Sequence, residues 1–277
     1  MYGGTPVAGK SSHLESSIPL ILIIILAIFV AGNFGIINLG DIPGIGPILG
    51  GGNQVRVAVI GTPSVGLKNY LISKDAQLAK IKYAGNLRAE SLSATGSLKL
   101  FDVVILQGQP VCDRTPRRII SEWVRGGGKL IVVGDACTRV NDDNSVLGWD
   151  IGVGLLGDVM PVKVGGLTSQ AEPIKYGCSS GTFTWAQFDH SIRSGAKDYP
   201  FSGRTIETIP YNGNIVAYID CGSSGRGSTA TTPAIVESSS LLGGKTVYFS
   251  YDPGINGDAA GRTVFINTLK YLKSQKG

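Results

Sequence analysis

The sequence has only two histidines, His13 and His190, and four cysteines with no CxxC pair among them. A resident zinc site draws on clustered ligands of these types, so no metal is expected. Charged residues make up 16%, where soluble chains carry roughly a quarter. Lysine and arginine exceed the acids by five, yet they are scattered. The densest group, Arg114, Arg117, Arg118, Arg125 and Lys129, alternates with apolar helix positions and lacks interleaved aromatics, which argues against a nucleic-acid partner. The loop from Gly61 through Gly66 to Lys68 and Asn69 departs from a phosphate-binding P-loop. One residue too many separates the second glycine from the lysine, and Asn69 replaces the hydroxyl that would hold magnesium. A tight turn is the simpler account, and no cofactor is expected.

What the chain does have is a long charge-free run. Residues 16–40 contain no charged side chain, and their centre is almost wholly aliphatic. About 20 helical residues cross a hydrocarbon core, so residues 17–40 are expected to form a transmembrane helix after a short tail, residues 1–16. A cleaved signal peptide is the competing reading, but its apolar stretch usually runs to about 7 to 15 residues. Lys10 precedes the run and no Lys or Arg follows it until Arg56. The positive-inside rule then puts the N-terminus in the cytoplasm and the rest of the chain outside. Residues 41–53 are rich in Gly and Pro and read as a linker.

Residues 54–277 read as one α/β domain. β-Branched runs at 55–61, 101–108 and 129–134 suggest buried strands. A helical stretch over 67–81 and an extended segment over 84–92 lie between the first two. A helix beginning at Pro116 and stopped by Gly126 to Gly128 lies between the last two. Strand, helix, strand at this spacing implies a flavodoxin-like, doubly wound and mostly parallel sheet. From about 140 to 235 the chain turns rich in Gly, Ser and Thr, with short strand-like pieces at 159–164 and 215–219, and reads as an insertion or sheet extension. Regular order returns with 234–237, a turn at Gly243 and Gly244, a strand at 245–250 and a helix over about 261–273.

The segments LFDVVILQG, EWVRGGGKLIVVGDA, FDHSIRSG and GGKTVYFSYDPG, followed by RTVFINTLKYL, resemble the class I glutamine amidotransferase-like superfamily. The ThuA-like and other non-amidotransferase branches are the nearest in flavour. The resemblance spans roughly residues 55–272 and implies the fold. It also implies where a nucleophile would stand: catalytic members carry cysteine on a sharp turn after a strand, with a later histidine and carboxylate. Here the elbow falls at Gly134 or Asp135, and Cys137 comes about two residues late without a second glycine. Asp135, Cys137, His190 and Asp252 are the weak catalytic candidates. Each has a plain structural alternative, since Asp252 opens an Asp-Pro-Gly turn and His190 sits in a loop motif.

An even cysteine count in an exported domain suits disulfides. Cys112 and Cys137 follow strands expected to be neighbours. Of the three possible connectivities, Cys112 with Cys137 and Cys178 with Cys221 is therefore the one expected.

Three functions stay open. The first is a membrane-anchored, extracytoplasmic, non-catalytic domain that binds or builds within a cell-surface complex, with the lipid bilayer and other surface proteins or further copies of itself as partners. The second is an anchored hydrolase or lyase acting on sugar, amide or envelope substrates. The third is a pilin-like filament subunit whose apolar helix, preceded by Glu15, forms the filament core.

Overall fold

The computed structural model describes residues 54–141, 148–149, 155–164, 174–224, 228–255 and 258–274, together with Pro19, Ile23 and Leu26. The chain divides into two units, Met1–Gln54 and Val55–Gly277. In the first, Pro19, Ile23 and Leu26 are helical and exposed. The rest of the anticipated tail, membrane segment and linker lies outside the described residues. Among those described, no helix is long and apolar enough to cross a membrane.

The second unit is a mixed α/β domain built on a nine-stranded sheet. Its strands are β1 (Val55–Gly61), β2 (Ile81–Leu87), β3 (Val103–Gln107), β4 (Lys129–Val133), β6 (Ser180–Trp185), β7 (Tyr199–Ser202), β9 (Asn214–Ser224), β10 (Ser228–Ser239) and β11 (Lys245–Phe249). They lie in the order β2-β1-β3-β4-β11-β10-β9-β6-β7. The first five run parallel and the remaining four pair antiparallel. A separate small sheet pairs β5 (Val162–Val164) with β8 (Thr208–Pro210).

The parallel half follows from the three apolar runs. Strands covered on both faces need side chains that bury in either direction, and β3 and β4 are buried at every position. On one face α3 (Arg114–Arg125) packs Ile120, Trp123 and Val124 over Val104, Leu130, Val132 and Tyr248. On the other, α4 (Ala259–Ser274) packs Val264, Phe265 and Leu269 over Val57, Ile105, Ile131 and Phe249. Pro116 sits in the first turn of α3, where its missing amide proton leaves no bond unmade.

The expected helix over 67–81 is in fact two, α1 (Val65–Leu71) and α2 (Lys74–Leu78). Ser73 divides them: its hydroxyl donates to Tyr70 O at 2.7 Å and accepts from Ala76 N at 3.1 Å, ending one helix and capping the next. Lys80 then turns through φ 58°, and β2 starts at Ile81, three residues before the expected extension.

The Gly/Ser/Thr-rich region extends the main sheet. Its β6, β7 and β9 continue outward from β10, and Phe183, Trp185, Tyr199 and Phe201 form an aromatic core with Tyr251. Pro233 is accommodated inside β10 because the register with β9 slips there.

Candidate functional site

The carboxyl ends of the parallel strands are where open α/β sheets place their ligands. Here that edge is closely packed. After β1, Ser64 N donates to Gln107 Oε1 at 3.2 Å, and Ser64 Oγ accepts from Leu67 N at 3.2 Å. Gly66 presses on the backbone of Gly254, so a Cβ at either position would overlap the other segment. The loop that superficially matches a P-loop is thus a packed turn, with the Ser64, Leu67 and Lys68 amides bonded within the fold and Gly66 closed off by Gly254.

After β4 the backbone turns left-handed at Gly134, φ 63°, which is the turn a nucleophile elbow requires. Gly134 brings no side chain to it. Asp135 follows, partly exposed, and its carbonyl accepts from Thr138 Oγ1 at 2.8 Å. Cys137 is fully buried and joined to Cys112, with Cα atoms 4.8 Å apart. Its amide donates to Gln109 O at 2.6 Å. Arg117, 1% exposed, donates to Cys112 O and Gly148 O and so braces this disulfide. One member of the basic helix group therefore works inside the fold. The second disulfide, Cys178 with Cys221, ties the segment before β6 to β9 over a Cα separation of 5.5 Å. These are the two pairs anticipated above. Asp252, after β11, accepts from Gly254 N at 2.9 Å, which is turn chemistry.

The remaining candidate, His190, lies against Tyr271 on the face of the sheet that α4 covers. Its Nδ1 accepts from Ile192 N at 3.2 Å, so its ring proton is on Nε2, 3.4 Å from Glu237 Oε1. Glu237 stands opposite Val247, the central residue of β11, and Lys245 begins that strand at its amino edge. The structure brings Asp135 and Asp252 to neighbouring strand ends but puts His190 and Cys137 on opposite faces of the sheet, His190 against Tyr271 under α4 and Cys137 in the core beneath α3.

Around Glu237 is a buried ionic cluster whose members lie far apart along the chain. Tyr271 donates its hydroxyl to Glu237 Oε2 at 2.8 Å, Lys245 Nζ lies 3.5 Å from the same oxygen, and Lys245 also reaches the Tyr271 hydroxyl. The His190 and Tyr271 rings meet edge to face at 4.7 Å. Burial acts to raise the Glu237 carboxyl, but the bonds from His190 and Tyr271 and the charge of Lys245 outweigh it and hold it below the usual range. Burial, reinforced by Glu237, pushes the Tyr271 hydroxyl up. The only hint in the sequence is an isolated acid in the apolar run from Ala234 to Glu237, with Lys245 next along the hairpin.

Two cavities also lie at this amino edge. One, of about 540 Å³, is lined by Arg125, Asp158, Met160, Asn212, Ser238 and Leu242, with Arg125 paired to Asp158. The other, of about 610 Å³, is lined by Lys99, Asp102, Trp123, Gly127, Lys129 and Lys273. Among the described residues no group of acids, histidines and cysteines could hold a metal ion.

The fold defines a class of protein, a mixed α/β domain, and it is similar to the fold of a ThuA-like protein among the solved structures. Two cytoplasmic proteins from Salmonella typhimurium superpose with TM-scores of 0.55 at 14% identity, covering 79% and 80% of this chain and 98% and 100% of their own. A ThuA-like protein from Bacteroides uniformis superposes with a TM-score of 0.53 at 10% identity, covering 79% of this chain and 90% of that one. At such identities the likeness is one of fold. No protein-family model matches the sequence, and no curated protein matches it.

Proposed function

We propose that this chain is a bilayer-anchored, extracytoplasmic domain serving as a non-catalytic binding or structural component of a cell-surface complex. Residues 17–40 would be the anchor and residues 1–16 the cytoplasmic tail, with the flavodoxin-like, doubly wound half of the sheet carried outside. The observation that carries the non-catalytic reading is the fate of the elbow. Gly134 occupies the turn, Cys137 is sealed in a disulfide, and His190 faces Glu237 on the opposite face of the sheet. A thiolate nucleophile needs a free sulfur and a base within reach, and neither condition is met by these residues. Two disulfides support an oxidising compartment.

The reading is tested by isolating the full chain from its native membranes in mild detergent and identifying what accompanies it. A reproducible set of co-purifying surface proteins, or stable self-association, is the expected result. A lone protomer that turns over amide or sugar substrates, and whose Cys137 is alkylated without reductant, overturns it.

A further inference from the structure

The turn between β10 and β11 presents Leu241 and Leu242, 104% and 70% exposed, side by side. This turn is no loose loop. Ser240 N donates to Gly244 O at 2.7 Å, Gly244 N to Ser240 Oγ at 2.9 Å, and Lys129 Nζ to Gly243 O, which fixes it against the end of α3. The two leucines line one side of the cavity beside Arg125 and Asp158, and most of their apolar surface is left in water, which is unfavourable in proportion to that area.

The surroundings share one direction. The turn projects from the amino edge of the parallel strands, where Lys245 pairs with Lys129. The chain enters the domain at this same edge, since Val55 begins β1 and donates to Lys80 O at 2.8 Å. Leu78, 83% exposed at the end of α2, and the exposed Leu100 before β3 lie there too. So do the exposed lysines Lys80, Lys99 and Lys270, for which the described residues offer no ion pair. The acids of this edge are mostly engaged: Asp102 holds Lys273 and Arg56, Asp158 holds Arg125, and Glu237 is buried.

We infer that the amino edge of the sheet docks on the bilayer, with Leu241 and Leu242 entering the interface of a membrane containing anionic lipids. This rests on the anchor reading above. On that reading the segment that follows the anchor joins the domain at this edge, where Val55 begins β1. Apolar side chains sharing one edge with lysines that pair with none of the described residues suit the boundary between acyl chains and anionic headgroups, where such groups settle about 5 Å deep.

The test uses the full chain reconstituted in vesicles of phosphatidylcholine with phosphatidylglycerol, some of the lipid brominated near the headgroup. Leu241→Trp and Leu242→Trp place reporters on the turn, and Thr62→Trp places one on the exposed opposite edge. The native Trp123, Trp149 and Trp185 are buried and set the background. The expected result is loss of emission from the Leu241→Trp and Leu242→Trp proteins and none from the Thr62→Trp protein. If all three float with the vesicles and none is quenched, the docking is overturned while the anchor stands. If none floats, the anchor reading fails and the docking with it. Equal quenching at both edges, or a blue-shifted reporter that is unchanged in detergent, also overturns the inference, the latter by showing that protein covers the turn.

Discussion

His190 Nε2 lies 3.4 Å from Glu237 Oε1, so the histidine of the folded domain serves a buried carboxylate and leaves Cys137 without a base. Glu237 is held ionised by His190, Tyr271 and Lys245. Because its folded pKa lies below the ordinary 4.5, its contribution is fully present above that value and is lost as pH falls through the folded one. Denaturant unfolding should show stability dropping below about pH 4.5 in the native chain, and dropping less steeply in the Glu237→Gln protein. Glu237→Ala, which strands Lys245 in a largely buried site, should cost about 3 kcal/mol at neutral pH. A Glu237→Ala protein as stable as the native chain would refute the cluster.

An alkaline limit should come from buried tyrosines. Burial, with the nearby Asp258, pushes Tyr70 up to about 12, and burial raises Tyr199, Tyr248, Tyr251 and Tyr271 further. Raised phenol pKa values favour the fold below the ordinary value of 10 and cease to do so as pH climbs through the folded values. Phenolate absorbance should therefore rise in two stages, the second coinciding with loss of circular dichroism. All ten tyrosines titrating together in a native domain would contradict this.

The two disulfides close spans of 25 and 43 residues. Replacing each pair with serines should cost about 3.5 kcal/mol for Cys112 with Cys137 and about 4 kcal/mol for Cys178 with Cys221, by the chain-entropy relation. Thermal unfolding reads both. Peptide mapping without reductant should recover the linked pairs, and alkylation of any of the four sulfurs in the unreduced native protein would show the pairing to be wrong.

Gly66→Ala should be severely destabilising, by about 3 kcal/mol, because its methyl group would overlap the Gly254 carbonyl, which is backbone and cannot turn aside. Gly96→Ala, with nothing within 4 Å of the added carbon, should be close to neutral. Equal stability of the two variants would mean that the β1 turn has room to open, and with it room for a ligand.

Much of the parallel half was legible because burial on both faces forces continuous apolar runs, and β1, β3, β4 and β11 have them. The helix break at Ser73 was not, since a serine within a helical pattern reads as a surface residue until its hydroxyl is seen capping Ala76. The region from 140 to 235 was legible only as irregular. Antiparallel strands rich in Thr and Ser carry a weak pattern, and their pairing depends on partners distant in sequence.

By itself the sequence determined the apolar run at 17–40, the α/β character of residues 54–277, and the even cysteine set whose pairing follows from neighbouring strands. These depend on local composition and on the order of elements. Only the tertiary structure decided what happens at the ends and on the faces of the sheet. It gave the elbow turn to Gly134, set His190 on the other face of the sheet beside Glu237, Lys245 and Tyr271, and left Leu241 and Leu242 exposed. The reason is directional: a strand's residues are fixed by sequence, but which of its ends meets which loop depends on whether its partner runs parallel or antiparallel. That choice is made across β11 and β10, where the sheet changes direction.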